Sequence, residues 1–151
     1  DLARYCRMIL NGGQLEGVRV LEAATVKLMH TVQSPSPITA RRGLGFDIDS
    51  PYAGPRGTLF PLGSFGHTGW TGTSLWIDPF SRTTLLFLSN RNHPSGGNVL
   101  KLRHRLGTLA AEATGYEFSK VTGALSAQRS NGLRAMLDRI RSAADAQPVA
   151  D

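Results

Sequence analysis

The sequence predicts an α+β fold, a small antiparallel sheet flanked by helices. Three observations predict it. Apolar residues recur at helical spacing at the start of the chain (Leu2, Tyr5, Cys6, Ile9, Leu10) and again between Val99 and Ala113. Two strand-like runs, Gly72–Ile77 and Thr83–Ser89, are separated by Asp78-Pro79-Phe80-Ser81-Arg82, a loop of hairpin length. The helical and strand patterns are grouped rather than alternating, which favours a layered α+β arrangement over repeated βαβ units.

The first helix should close at Asn11-Gly12-Gly13, because glycine adopts the left-handed conformation that ends a helix. A turn at Leu15-Glu16-Gly17 and an extended piece, Val18–Leu21, lead to a second helix from about Glu22 to Val32, with Ala23, Val26 and Met29 on one face. Ser34-Pro35-Ser36-Pro37 disfavours helix and reads as a surface loop. Leu44, Phe46 and Ile48 then alternate with Gly45 and Asp47, the period of a half-buried strand. Residues 49–62 carry Pro51, Pro55 and Pro61 and read as a long loop. In the second hairpin strand, Leu85-Leu86-Phe87-Leu88 is apolar without alternation, so burial on both faces is expected. A helix from about Val99 to Ala113 should bury the stripe Val99, Leu102, Leu106, Leu109, Ala110 and Ala113. A last helix carries Leu133, Met136, Leu137 and Ile140, and residues 143–151 read as a frayed tail.

At 151 residues the chain suits one domain or part of one. It opens on Asp1 within an amphipathic pattern, which is expected of a segment of a larger protein. The single cysteine, Cys6, excludes an internal disulfide and a thiolate metal cluster. His30, His67, His93 and His104 have no short ligand spacing, so no metal site is expected. No apolar run approaches the roughly 18 residues that a membrane span needs.

The central stretch runs from Gly63 to Pro79, Gly-Ser-Phe-Gly-His-Thr-Gly-Trp-Thr-Gly-Thr-Ser-Leu-Trp-Ile-Asp-Pro. Glycines 66, 69 and 72 interrupt strand-forming sequence, which marks close approach of another backbone or of a ligand. His67-Thr68-Gly69 places a titratable group and a hydroxyl beside a residue with no side chain. Acyl transfer uses these features: a group able to hold or release a proton near neutral pH, a donor, and backbone access. The bland alternative is a strand with a glycine bulge.

The run Phe65-Gly66-His67-Thr68-Gly69-Trp70-Thr71-Gly72-Thr73-Ser74-Leu75-Trp76-Ile77-Asp78-Pro79, followed by an apolar strand and Ser89-Asn90-Arg91, resembles the C-terminal half of serine hydrolases related to class C β-lactamases and penicillin-binding proteins. The opening segment, Asp1–Arg4 through Asn11-Gly12-Gly13, Val20-Leu21 and Ala24-Thr25-Val26 before Met29, is similar to the same family. The resemblance spans about residues 1–115. It implies the C-terminal part of a β-lactamase/transpeptidase-like fold, with antiparallel strands flanked by helices, and hydrolysis of an ester, amide or peptidoglycan-type substrate through an acyl-enzyme without a cofactor. It further implies a periplasmic, secreted or cell-envelope setting in a bacterium. Three motifs meet in such sites: Ser-x-x-Lys, Tyr-x-Asn, and Lys-Thr-Gly or His-Thr-Gly. Only the third is in this chain: no serine has lysine three positions later, and none of Tyr5, Tyr52 or Tyr116 has asparagine two positions later. The other two motifs are therefore expected in a missing N-terminal half of the same domain, and this chain alone is expected to be inactive.

By the same resemblance, His67 and Thr68 are candidate catalytic and substrate-binding residues. Gly69 joins the substrate wall, and the Trp70 N–H is a candidate for half of the oxyanion hole. Asn92, in Asn90-Arg91-Asn92-His93-Pro94, is a candidate substrate contact, with a turn role as its alternative. The expected division is residues 1–118 as part of the hydrolase domain and 119–151 as a helical extension or linker. A rival reading is a non-catalytic binding or interaction module with basic C-terminal helices. Eight Lys and Arg (101, 103, 105, 120, 129, 134, 139, 141) face Glu112, Glu117 and Asp138 there. These charges lie off the apolar stripe and aromatics are scarce, so a solvated face is expected rather than a nucleic-acid surface.

Overall fold

The computed structural model describes residues 1–122. Residues Asp1–Phe118 form one compact unit, and α4 (Ser119–Thr122) belongs to a second, described by itself. The expected helix through Leu133 and Ile140 lies outside the described residues.

Helix α1 (Leu2–Leu10) turns Cys6, Met8 and Ile9 inward and ends at Asn11. Strands β1 (Gln14–Leu15) and β2 (Val18–Arg19) form a small hairpin whose turn residues, Glu16 and Gly17, both have positive φ. Helix α2 (Ala23–Met29) is shorter than its sequence pattern and buries Val26. The main sheet is an antiparallel meander in the order β3 (Arg41–Arg42), β4 (Asp47–Asp49), β5 (Phe65–Thr68), β6 (Ser74–Asp78), β7 (Thr83–Phe87).

The core lies between this sheet and the first two helices. Phe65 pairs with Ile77 across β5 and β6, and both join Phe46, Ile48, Cys6, Met8, Ile9 and Val26 in one buried cluster. Each such large side chain contributes about 1.5–3 kcal/mol on full burial. Gly66 pairs with Trp76, and an added Cβ there would lie 2.1 Å from the Leu75 carbonyl oxygen and 2.6 Å from the indole. Glycine at 66 thus lets the buried Trp76 lie against the β5 backbone. The hairpin between β6 and β7 is fixed by buried Asp78, which accepts from the Ser64 hydroxyl and from the N–H and hydroxyl of Ser81.

Three expectations need correction. Asp47 is buried, because its carboxylate accepts from Arg42 and Ser50 rather than facing water, so the simple alternation through Phe46 and Ile48 fails. The run Leu85–Phe87 is half-buried and Leu88 is exposed, so the described residues do not fully cover both faces of this strand. Helix α3 (Leu100–Ala113) turns Arg103, Gly107 and Ala111 inward, while Leu102 and Leu109 of the expected stripe are exposed. The reason is what α3 packs on: the backbone of Arg56 and Gly57, close against Gly107, in place of an apolar layer.

Those residues belong to the 49–62 loop, which is ordered and contains a 3₁₀ turn (Gly54–Arg56). Buried Arg56 donates to the Ile48 carbonyl, His104 on α3 meets the Gly54 carbonyl, and the Thr58 N–H donates to the Thr108 hydroxyl. Phe60 from the same loop packs edge-on against Phe118, beside Ala111. The loop is therefore tied between strand β4 and helix α3.

Candidate active site

The β4–β5 ladder pairs Asp47 with Gly66 and extends to neither His67 nor Thr68. On its other side β5 stays paired with β6, His67 opposite Leu75 and Thr68 opposite Ser74. The strand thus leaves its β4 partner where the candidate residues begin. An edge of this kind can receive an extended ligand.

The turn that follows is tightly built. The Gly69 N–H donates to the Thr73 carbonyl at 2.8 Å, and the Thr73 hydroxyl lies so close that a Cβ at position 69 would stand 2.3 Å from it. Arg103, buried on α3, donates to the carbonyls of Gly69, Gly72 and Thr73 at 2.9, 3.0 and 2.8 Å. Burial pushes its guanidinium downward and the neighbouring Arg91 cation adds to this, yet an arginine remains charged. Arg103 was expected on a solvated face. It is instead the internal brace of this turn.

Trp70 projects from the turn and is 79% exposed, with the Arg91 guanidinium stacked 4.3 Å from its ring centre. Arg91 also donates to the Trp70 and Gly97 carbonyls, and its own N–H donates to the Thr71 carbonyl. Among the described residues, the Trp70 N–H and the Thr68 hydroxyl make no hydrogen bond. Asn92 follows Arg91 in the loop brought to this turn; its N–H donates to the Asn90 side chain, and its own side chain makes no hydrogen bond to the other candidates.

His67 is exposed and held at both nitrogens. Nδ1 lies 2.9 Å from the Thr68 carbonyl oxygen and Nε2 lies 3.0 Å from Nη2 of Arg42. Arg42 in turn donates from Nε to Asp47 at 2.8 Å, where the Ser50 hydroxyl also donates. The structure therefore places His67 and Thr68 at the end of β5, where its ladder to β4 has stopped, and Gly69 and Trp70 in the turn that follows, with Arg42 and Asp47 beside His67 and Arg91 and Arg103 against the turn. Sequence reading missed these four supports. The one signal for Arg103 was its line with Gly107 and Ala111 at four-residue spacing.

A family model for β-lactamase matches residues 1–110. The chain belongs to the β-lactamase family. A relative in Escherichia coli K12, provisionally named a D-alanyl-D-alanine carboxypeptidase, is 38% identical over 93 residues, which cover 62% of this chain and 21% of the relative. One of the same name in Salmonella schwarzengrund is 30% identical over 128 residues, covering 83% of this chain and 29% of the relative. The chain thus spans less than a third of the length of these relatives. A solved β-lactamase from Mycobacterium bovis superposes with a TM-score of 0.57 at 23% identity, covering 75% of this chain and 43% of that one. That likeness supports the α+β fold.

Among the described residues no cluster of His, Cys, Asp and Glu could hold a metal ion, and no helix is long and apolar enough to cross a membrane.

Proposed function

We propose that this chain supplies the substrate-binding wall of a serine hydrolase that works through an acyl-enzyme. The observation that carries the reading is the end of β5 at His67-Thr68, released from β4, with a Thr68 hydroxyl and, in the next turn, a Trp70 N–H that have no hydrogen-bond partner among the described residues. A substrate lying along that edge would be held by the β5 backbone and the Thr68 hydroxyl, with Gly69 shaping the turn beside it by leaving room for the Thr73 side chain. The Trp70 N–H would meet the oxygen that becomes negative as the acyl carbonyl is attacked, where one such donor is worth about 2.7–4 kcal/mol of barrier. Asn92, from the loop that Arg91 docks on the same turn, is a further polar contact.

The nucleophile and its proton-handling partners, Ser-x-x-Lys and Tyr-x-Asn, are then contributed by sequence outside Asp1–Asp151, as a separate part of the same domain. Residues 119–151 would be an extension or linker. The names of the relatives favour a peptide ending in D-alanine over a simple ester or a β-lactam, and a setting in the bacterial cell envelope.

The test is to treat the purified chain with a serine-reactive fluorophosphonate and a chromogenic short-chain ester, alone and after adding the preceding part of its gene product. Labelling and turnover only in the mixture, both abolished by the double change His67→Ala and Thr68→Val, support the proposal. Turnover by the chain alone would place a nucleophile within it and overturn the division of roles.

A further inference from the structure

The hydrogen bonds around His67 are directional. Guanidinium nitrogens can only donate, so the Arg42 Nη2 contact at 3.0 Å requires a lone pair on Nε2 of His67. The Thr68 carbonyl can only accept, so the 2.9 Å contact on the other side requires a proton on Nδ1. Both neighbours select the same form of the ring. Arg42 cannot easily turn away, because its Nε donates at 2.8 Å to Asp47, which is 1% exposed and also accepts from Ser50. The second carboxylate oxygen of Asp47 has no partner among the described residues, so Arg42 is its main compensating charge.

We propose that Arg42, anchored on Asp47, is a positioning residue that fixes His67 as the Nδ1–H tautomer with its Nε2 lone pair facing the guanidinium. Resting on the reading of this edge as a substrate wall, the proposal changes what the wall offers. The one N–H of His67 is tied to the Thr68 carbonyl and is withheld from a ligand. Nη1 of Arg42, which makes no hydrogen bond among the described residues, becomes the donor at that corner. Fixing the ring also fixes the shape of the edge beside Thr68, so orientation as well as donor identity depends on Arg42.

The test is long-range 15N–1H correlation NMR of the 151-residue chain with labelled histidine, in alkaline buffer where imidazoles are neutral. His67 is assigned by loss of its signals in His67→Gln. The expected pattern is a protonated Nδ1 and a lone-pair Nε2. In Arg42→Met, Nε2 should move toward the position of a protonated nitrogen as the ring becomes a mixture of tautomers. Arg42→Lys, which keeps a donor, should restore much of the parent pattern, and Asp47→Asn should give an intermediate one. A parent spectrum with the proton on Nε2 would overturn the proposal without any variant. An unchanged Nδ1–H pattern in Arg42→Met would also overturn it, showing that the Thr68 carbonyl suffices. None of these spectra depends on turnover, so inactivity of the assembled enzyme would sink the proposed function and leave this result standing.

Discussion

Replacing Arg103 with methionine should loosen the turn that presents Trp70. The guanidinium makes three bonds to backbone carbonyls, and a hydrogen bond to a charged group contributes about 1.5–3 kcal/mol, which gives an upper range of roughly 4.5–9 kcal/mol if each were lost outright. Two facts lower this. Each carbonyl keeps a second donor: Gly72 N–H at Gly69, the Ser89 hydroxyl at Gly72, and Gly69 N–H at Thr73. Methionine also removes a buried charge whose desolvation opposed folding. The expected loss is therefore about 3 kcal/mol, below that range. For a unit of this size, about 4 °C of Tm accompanies each kcal/mol, so thermal unfolding followed by circular dichroism should shift down by about 12 °C. Arg105→Met is the control, since Arg105 is exposed on the same helix and a change there should stay within about 0.5 kcal/mol. A shift below about 3 °C in Arg103→Met, or equal shifts in both variants, would refute the brace.

Three further outcomes follow from the packing and titration of the described residues. Gly66→Ala forces a methyl group against the Leu75 carbonyl and the Trp76 ring, so urea unfolding should lose about 1–3 kcal/mol or more, and a neutral result would mean that β5 and Trp76 are not in this contact. Burial pushes the His30 imidazole down, with the Lys27 cation adding to it, so the unfolded chain binds the extra proton first as pH falls. The stability His30 contributes is complete above the ordinary imidazole value of about 6.5 and is lost as pH drops below it; His30→Phe, which keeps a ring against Phe65, should flatten that part of the Tm–pH curve, and an unchanged slope would contradict the assignment. Cys6 is fully buried and its thiol is pushed up by burial, so a thiol reagent should label it slowly in buffer and fully in denaturant, whereas immediate labelling of the native chain would contradict the core described here.

Local features of the sequence carried much of the fold. The spacing of Leu2, Cys6 and Ile9 gives α1, the break at Asp78–Arg82 gives the hairpin, and glycine 66 marks a real close approach. His67-Thr68-Gly69 stood out because glycine and a hydroxyl interrupt strand-forming sequence, and the close approach that glycine 69 marks is to the Thr73 side chain. What escaped was long-range polar pairing. Helical periodicity sorts residues by polarity, and it assigned Arg103 to water because nothing near it in sequence shows three carbonyls awaiting a donor 30 or more residues away. The same blindness placed the exposed Leu102 and Leu109 in the core and hid Asp47, whose burial depends on Arg42 and Ser50. Leu85–Phe87 looked doubly covered because an apolar run cannot reveal how much of each face the neighbouring layers cover.

The central proposal is that the end of β5 binds the reacting acyl group, and the most direct measurement is kcat/KM for a chromogenic ester by this chain combined with the preceding part of its gene product, with and without Thr68→Val. The change removes the free hydroxyl at that edge with little change in shape. The account predicts a loss of about 5–150-fold, because the substrate group that the hydroxyl held is left without its partner at a cost of about 1–3 kcal/mol. A value within about threefold of the parent, with the fold intact, would contradict it and move the substrate away from this strand.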